Sequence, residues 1–231
     1  MQSVLIVSAT LAECQGLLKS NFIHVDGESF YADAFADFKA DLLITGVGSI
    51  ATTFYLTKML STSNYRFLLN IGLAGSFNKT VLLGMVVSVG CDQFADLGAE
   101  DHDDFIDIFD LGLLNPSERP FVNRKLIPIV SNNIPINKIK VVEAITVNKV
   151  HGNQSSINKI RAKYPVDIES MEGAAFFYVA NMFQVPSLQV RAISNYVEPR
   201  NRESWNIVLA LKNLSNEVNA LMSSLVLDNF S

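Results

Sequence analysis

Glu13, Glu172 and Asn195 are the side chains whose types and positions in this sequence point most directly to chemistry. Glu13 follows the apolar run Val4 to Val7 by a few residues and stands at the start of a helix-period segment. A helix N-terminus can hold such a carboxylate near a ligand, or the glutamate can simply cap the helix. Glu172 lies in Glu169-Ser170-Met171-Glu172-Gly173-Ala174-Ala175, just ahead of Phe176 and Phe177. An acid entering so apolar a helix is either exposed at its start or hydrogen-bonded to something buried. Asn195 ends the run Arg191-Ala192-Ile193-Ser194-Asn195, which puts an amide at the carboxyl end of a strand, a position that also suits a turn-forming asparagine.

Two further stretches invite a ligand and argue against one. Gly46 to Ala51 spells GxGxxA between a strand and a helix, but the next strand ends Asn70-Ile71-Gly72, without the acid that a dinucleotide ribose requires. A tight strand-to-helix turn is the expectation there. The segment from Asp92 to Asp110 holds eight acidic residues and His102. Hard cations favour clustered carboxylates, yet the spacing fits no calcium loop and His102 has no histidine partner nearby. A solvated or mobile acidic loop is expected, with no metal and no organic cofactor.

These residues must be positioned by a scaffold, and the apolar pattern supplies one. Strands are expected at Val4 to Ser8, Leu42 to Thr45, Phe67 to Ile71, Met85 to Val89, Ile139 to Val147 and Leu188 to Ser194. Helices are expected at Leu11 to Leu18, Ile50 to Leu60, Ile157 to Tyr164, Met171 to Phe183, and from about Ser204 to Leu227. Such alternation predicts an α/β fold whose sheet is covered on both faces, with ligands at the carboxyl ends of the strands. Residues 1–231 show no linker, repeat or low-complexity tract, so a single domain is expected.

Composition narrows the function further. Of 231 residues, 49% are hydrophobic and 18% charged, below the roughly 25% charged usual for globular proteins, which implies a large core and a further buried interface. Disorder is excluded on the same grounds. Lys plus Arg number 18 against 23 Asp plus Glu, with the basic residues scattered, which excludes a basic footprint for nucleic acid. Cys14 and Cys91 lie far apart without a CxxC, so two reduced thiols in a cytoplasmic protein are expected. The opening residues lack the basic region and cleavage site of a signal peptide. Gly173 to Val190 is interrupted by Asn181, Gln184 and Pro186, and reads as a buried helix and strand rather than a membrane span.

Taken in order, five motifs carry a resemblance. They are Ser8-Ala9-Thr10-Leu11-Ala12-Glu13, Asn70-Ile71-Gly72-Leu73-Ala74-Gly75, Asp92 to Gly98, Glu169 to Ala175, and Arg191 to Asn195 running on through Glu198-Pro199-Arg200-Asn201-Arg202-Glu203-Ser204-Trp205. Over nearly its whole length the chain resembles the nucleoside phosphorylase and nucleosidase superfamily, being similar in order and spacing to methylthioadenosine/S-adenosylhomocysteine nucleosidases. Met171-Glu172 and Ser194-Asn195 mark the superfamily. Asp96-Leu97-Gly98 and Arg202 to Trp205 resemble the futalosine hydrolases of the alternative menaquinone pathway most of all.

The resemblance implies a three-layer α/β/α domain with a mixed central sheet, in a dimer-based homo-oligomer whose partner helps close the pocket. It implies a purine nucleoside as substrate and cleavage of the base–ribose bond. That reaction builds oxocarbenium-like charge on the sugar and negative charge on the base. On this resemblance Glu13 deprotonates the attacking water, Glu172 holds the ribose hydroxyls, and Asn195 faces the base. Ala74, Gly75, Val150, Met171 and Arg202 would line the substrate. Bacterial purine phosphorylases carry Arg and Ser where this chain has Asn70 and Leu73, so hydrolysis rather than phosphorolysis is implied, and a metal and a cofactor are not. The segment Thr146 to Gly152 offers Val147, Val150 and His151 where nucleosidases often place a phenylalanine. Arg200 and Arg202 are candidates for the carboxylated aromatic tail of futalosine.

Overall fold

The computed structural model describes residues 4–18, 23–25, 30–32, 40–130 and 139–227. The strands are β1 (Val4–Ser8), β2 (Ile23–Val25), β3 (Phe30–Ala32), β4 (Ala40–Ile44), β5 (Phe67–Ser76), β6 (Val86–Cys91), β7 (Gly98–Asp101), β8 (Asp104–Asp107), β9 (Lys140–Thr146), β10 (Ile168–Ser170) and β11 (Ser187–Tyr196). The helices are α1 (Leu11–Cys14), α2 (Ser49–Thr62), α3 (Gln154–Lys163), α4 (Gly173–Met182) and α5 (Ile207–Leu227).

The main sheet runs β10-β9-β6-β11-β5-β1-β4-β3-β2. It is mixed: β1 pairs parallel with β4 and β5, and β11 parallel with β5, whereas β6 runs antiparallel to β11. Strand β10 pairs with β9 on one side and antiparallel with β5 on the other, so the sheet curls back on itself at this end.

Side-chain alternation sorts the strands between two layers of helix. Val4, Ile6, Phe67, Leu69, Ile71, Leu188, Val190 and Ala192 pack with Ala210, Leu214, Val218 and Leu221 of α5. On the other face Leu5, Val7, Leu68, Val87 and Ile193 meet Leu56, Met59 and Leu60 of α2 and Phe176, Phe177 and Val179 of α4. Burial on both faces is why these strands read as continuous apolar runs.

The six expected strands and five expected helices are all present, with shifted ends. The helix expected over Leu11 to Leu18 shortens to α1 followed by a 3-10 turn, Gln15–Leu17. Gly173 to Val190 contains α4 and the start of β11, and among the described residues no helix is long and apolar enough to cross a membrane. Cys14 and Cys91 are both unpaired and buried.

The acidic stretch departs from the expected loop. Strands β7 and β8 form an antiparallel hairpin, and Arg124 bridges Asp107 at 3.2 Å and Asp110 at 2.7 Å. Asp92 is fully buried. Glu100, Asp101, Asp103 and Asp104 of the hairpin stay exposed to solvent as expected, while Asp107 is buried against Arg124. Among the described residues no three His, Cys, Asp or Glu are grouped so as to hold a metal ion.

Candidate active site

The carboxyl ends of β1, β5 and β11 open into a cavity of about 410 Å³, whose lining also includes residues following β10. Glu13, Ala74, Gly75, Val150, Met171, Glu172 and Asn195 all line it. Seven residues spread from position 13 to position 195 of the sequence are thus collected at one sheet edge, where loops after parallel strands converge.

Glu13 enters from the first turn of α1, caps that helix and lines the cavity. Its Oε2 accepts from the Thr10 backbone N–H and Thr10 Oγ1, each at 3.0 Å, and from Ser8 Oγ at 3.3 Å. Oε1 reaches across to accept from the Leu73 N–H at 3.0 Å. The carboxylate therefore closes a capping box and is held against the end of β5.

Glu172 is the N-cap of α4 and is 8% exposed. Its Oε1 accepts from the Gly48 N–H at 2.9 Å. Burial raises its pKa, and the Arg191 guanidinium and the Gly48 N–H oppose that rise. Gly48 has φ +97°, a left-handed conformation that favours glycine, and caps α2. The GxGxxA turn therefore presents the Gly48 amide to Glu172 and not to a dinucleotide phosphate.

Asn195 sits beside a β-bulge, where the β11–β5 register shifts between Ile193 and Asn195. Bulges re-aim side chains. Its Oδ1 accepts from Ser194 Oγ at 2.8 Å and its Nδ2 donates to the Tyr196 carbonyl at 3.1 Å. One amide N–H and one carbonyl lone pair remain for a ligand.

Arg202 is the exception. It belongs to a 3-10 turn, Arg202–Ser204, capped by Asn201, and it is exposed and outside the cavity lining. Its guanidinium carbon lies 5.8 Å from the Trp205 ring, while that of Arg200 lies 5.4 Å from the same ring. Arg200 and Trp205 line the cavity, so of the two arginines named for the substrate tail the turn presents Arg200 there and leaves Arg202 outside.

Beneath the two glutamates lies Arg191, 1% exposed. Nε donates to Gln189 Oε1 at 3.1 Å, and Nη2 donates to Asn70 Oδ1. Gln189 in turn donates to Asp92 at 3.1 Å, and Asp92 also accepts from Thr146 Oγ1 at 3.0 Å. Burial pushes the Asp92 carboxyl up to about 6, against the hydrogen bonds from Gln189 and Thr146. Burial lowers the Arg191 pKa, while Glu172, Glu13 and Asp92 raise it. A guanidinium nonetheless keeps its proton, and here it supplies the positive charge that lets two acids share one cavity. Gly72 makes the approach possible: a Cβ there would lie 2.5 Å from Arg191 Nη1 and 2.9 Å from Glu13 Oε1.

The sequence profile of the phosphorylase superfamily matches residues 13–227. The chain belongs to the phosphorylase superfamily. It is 29% identical over 226 residues to a futalosine hydrolase of Acidothermus cellulolyticus, covering 94% of this chain and 89% of the relative. A futalosine hydrolase of Streptomyces coelicolor is 31% identical over 187 residues, covering 78% and 77% respectively. The fold is similar to that of the 5'-methylthioadenosine/S-adenosylhomocysteine nucleosidase of Helicobacter pylori bound to butyl-thio-DADMe-Immucillin-A. That comparison has a TM-score of 0.77 at 15% identity and covers 96% of this chain and 98% of the other.

For this member of the phosphorylase superfamily, sequence reasoning missed the role of Arg191. The signal was available, since Gln189 and Arg191 are polar residues at alternate positions of an otherwise apolar strand. Period-2 alternation puts both on one face, and a cation on a buried face must have acids around it. Glu169, 2.6 Å from His151 in the same cavity, also went without a role in the sequence reading.

Proposed function

We propose that the chain is a futalosine hydrolase, cleaving the N-glycosidic bond of futalosine with water and releasing hypoxanthine. The enzyme class is that of an N-glycosyl hydrolase acting on purine nucleosides. One observation carries the reading: a half-buried Glu13 held by four hydrogen bonds, a buried Glu172 and the amide of Asn195 all line the same cavity.

Glu13 takes a proton from the attacking water, whose oxygen bonds to C1′ as the C1′–N9 bond breaks and its electron pair passes to the base. A carboxylate is a competent general base, contributing typically about 10²- to 10⁴-fold. Glu172 accepts hydrogen bonds from the ribose hydroxyls and favours positive charge on the sugar. Asn195 donates its free N–H to O6 and accepts from a protonated N7, the N7 proton coming from solvent. Phosphate is disfavoured as nucleophile. Asn70 faces inward, donating to the Val7 carbonyl at 2.9 Å, and the Arg191 guanidinium is engaged by Asn70 and Gln189. The Glu13 carboxylate would itself repel an anion beside it.

Arg200 with Trp205 at the cavity mouth suits an aromatic carboxylate tail, by stacking and charge. Exposed Val47 on the cavity lining continues into Ile50 and Phe54 on the first turns of α2, 84% and 60% exposed. A second copy covering this stripe would close the mouth, as the low charged fraction of the chain anticipates. Unpaired buried thiols are at home in the reducing cytoplasm.

The test is to incubate the protein with futalosine, inosine, adenosine and methylthioadenosine, with and without phosphate, and to identify the products. Hypoxanthine and a free ribosyl product from futalosine, at a rate indifferent to phosphate, are expected. Strict phosphate dependence with a sugar 1-phosphate product, or preference for an adenine nucleoside, would overturn the reading.

A further inference from the structure

The steps above leave unused a buried pair in the same cavity. Glu169 is 3% exposed and lies on β10, wedged between β9 and β5. Its Oε1 accepts from the His151 backbone N–H at 2.9 Å, and its Oε2 lies 2.6 Å from His151 Nδ1. Both residues line the cavity.

Glu169 and Asn195 flank the same glycine. Strand β10 pairs Glu169 with Gly75, and β11 pairs Asn195 with Gly75. A Cβ on Gly75 would lie 3.1 Å from Asn195 Nδ2 and 3.7 Å from Glu169 Cγ. The absent side chain leaves the Asn195 amide and the Glu169 side chain on either side of one glycine at the cavity wall.

That order of donor and acceptor matches one purine edge. A 6-oxopurine presents O6, an acceptor, next to N1–H, a donor. A 6-aminopurine presents an exocyclic NH₂ donor next to N1, a bare acceptor. An ionised carboxylate only accepts, and each oxygen of Glu169 keeps a further lone pair after its contact with His151. Against a 6-aminopurine the carboxylate would face the N1 lone pair. The neighbouring His151 N–H, which could have donated to that N1, is already given to Glu169. We propose that Glu169, clamped by His151, is a specificity-determining residue that accepts the N1–H of a 6-oxopurine while Asn195 serves O6. The backbone and ring of His151 hold the carboxylate in place before the base arrives, so little ordering is left for binding. The inference rests on the purine nucleosidase reading of the cavity and adds to it the group that recognises N1.

The experiment measures inhibition of nucleoside cleavage by hypoxanthine, 1-methylhypoxanthine and adenine in the parent protein and in Glu169→Gln. The parent should bind hypoxanthine at least about tenfold more tightly than either other base, since sites built on polar pairs reject mismatched analogues strongly. Glutamine can donate to N1 of adenine, so Glu169→Gln should shrink the hypoxanthine-to-adenine preference about tenfold or more. Equal binding of hypoxanthine and 1-methylhypoxanthine by the parent would overturn the proposal without need of a variant. So would an unchanged preference in folded Glu169→Gln. Failure of the nucleosidase reading is a different result: no nucleoside is cleaved and no base binds.

Discussion

Replacing Gly72 by alanine tests whether Arg191 and Glu13 work as one unit. The added Cβ would fall 2.5 Å from Arg191 Nη1 and 2.9 Å from Glu13 Oε1, against 3.4–4 Å for ordinary contact, so one or both groups must move by up to about an ångström. Neither has free travel. Arg191 is bonded to Gln189 and Asn70, and Glu13 to Ser8, Thr10 and Leu73. Overpacking of this kind costs about 1–3 kcal/mol of stability, which for a chain this long lowers Tm by roughly 2–12 °C and leaves the protein folded at room temperature. Misplacing a catalytic group by about 1 Å can cost on the order of 10²-fold in rate. Hypoxanthine release from saturating futalosine should therefore fall by about 10² in kcat, with a smaller change in KM. A folded Gly72→Ala protein whose kcat stays within about threefold of the parent would refute the coupling of these two groups.

Glu13→Gln should lower kcat by roughly 10²-fold or more with the fold intact, since glutamine cannot take the proton of water. A near-normal kcat, read by base release, would return this residue to capping alone. Asn195→Asp should shift the kcat/KM ratio towards 6-amino substrates, and an unchanged ratio of adenosine to inosine cleavage would show that Asn195 does not read the base. Asp92 gives a stability signature with pH. Its folded pKa of about 6 lies above the ordinary 3.8, so its contribution is full below about pH 4 and is lost as pH rises through about 6. Two pKa units at about 1.4 kcal/mol each give on the order of 3 kcal/mol. The stability of the parent relative to Asp92→Asn should fall by that order between about pH 4 and 6, and a pH-independent difference in chemical denaturation would count against it. Ile50→Asp combined with Phe54→Asp should shift sedimentation towards a smaller species, whereas an unchanged assembly would place the interface elsewhere.

Much of the architecture was legible in the chain itself. Strands buried on both faces leave long apolar runs, so β1, β5 and β11 could be placed from pattern alone, and with them the ends where Glu13 and Asn195 emerge. The nature of the chemistry came from the resemblance of its motifs to a known superfamily, because by position alone Glu13 could simply cap a helix and Glu172 could stand exposed at the start of one. Short elements carried no such signal. Strand β10 has three residues, too few for any period to show, yet it exists because β9 and β5 both pair with it, and it brings Glu169 beside Asn195. The acidic hairpin, the inward face of Arg191 and the choice of Arg200 over Arg202 are likewise decisions of tertiary contact. Local sequence sets propensity and pattern over a few residues. Which polar groups meet across 60 to 121 positions, as Glu13 meets the Leu73 N–H and Arg191 meets Asn70, is set by the register of strands that pair only once the whole sheet has formed.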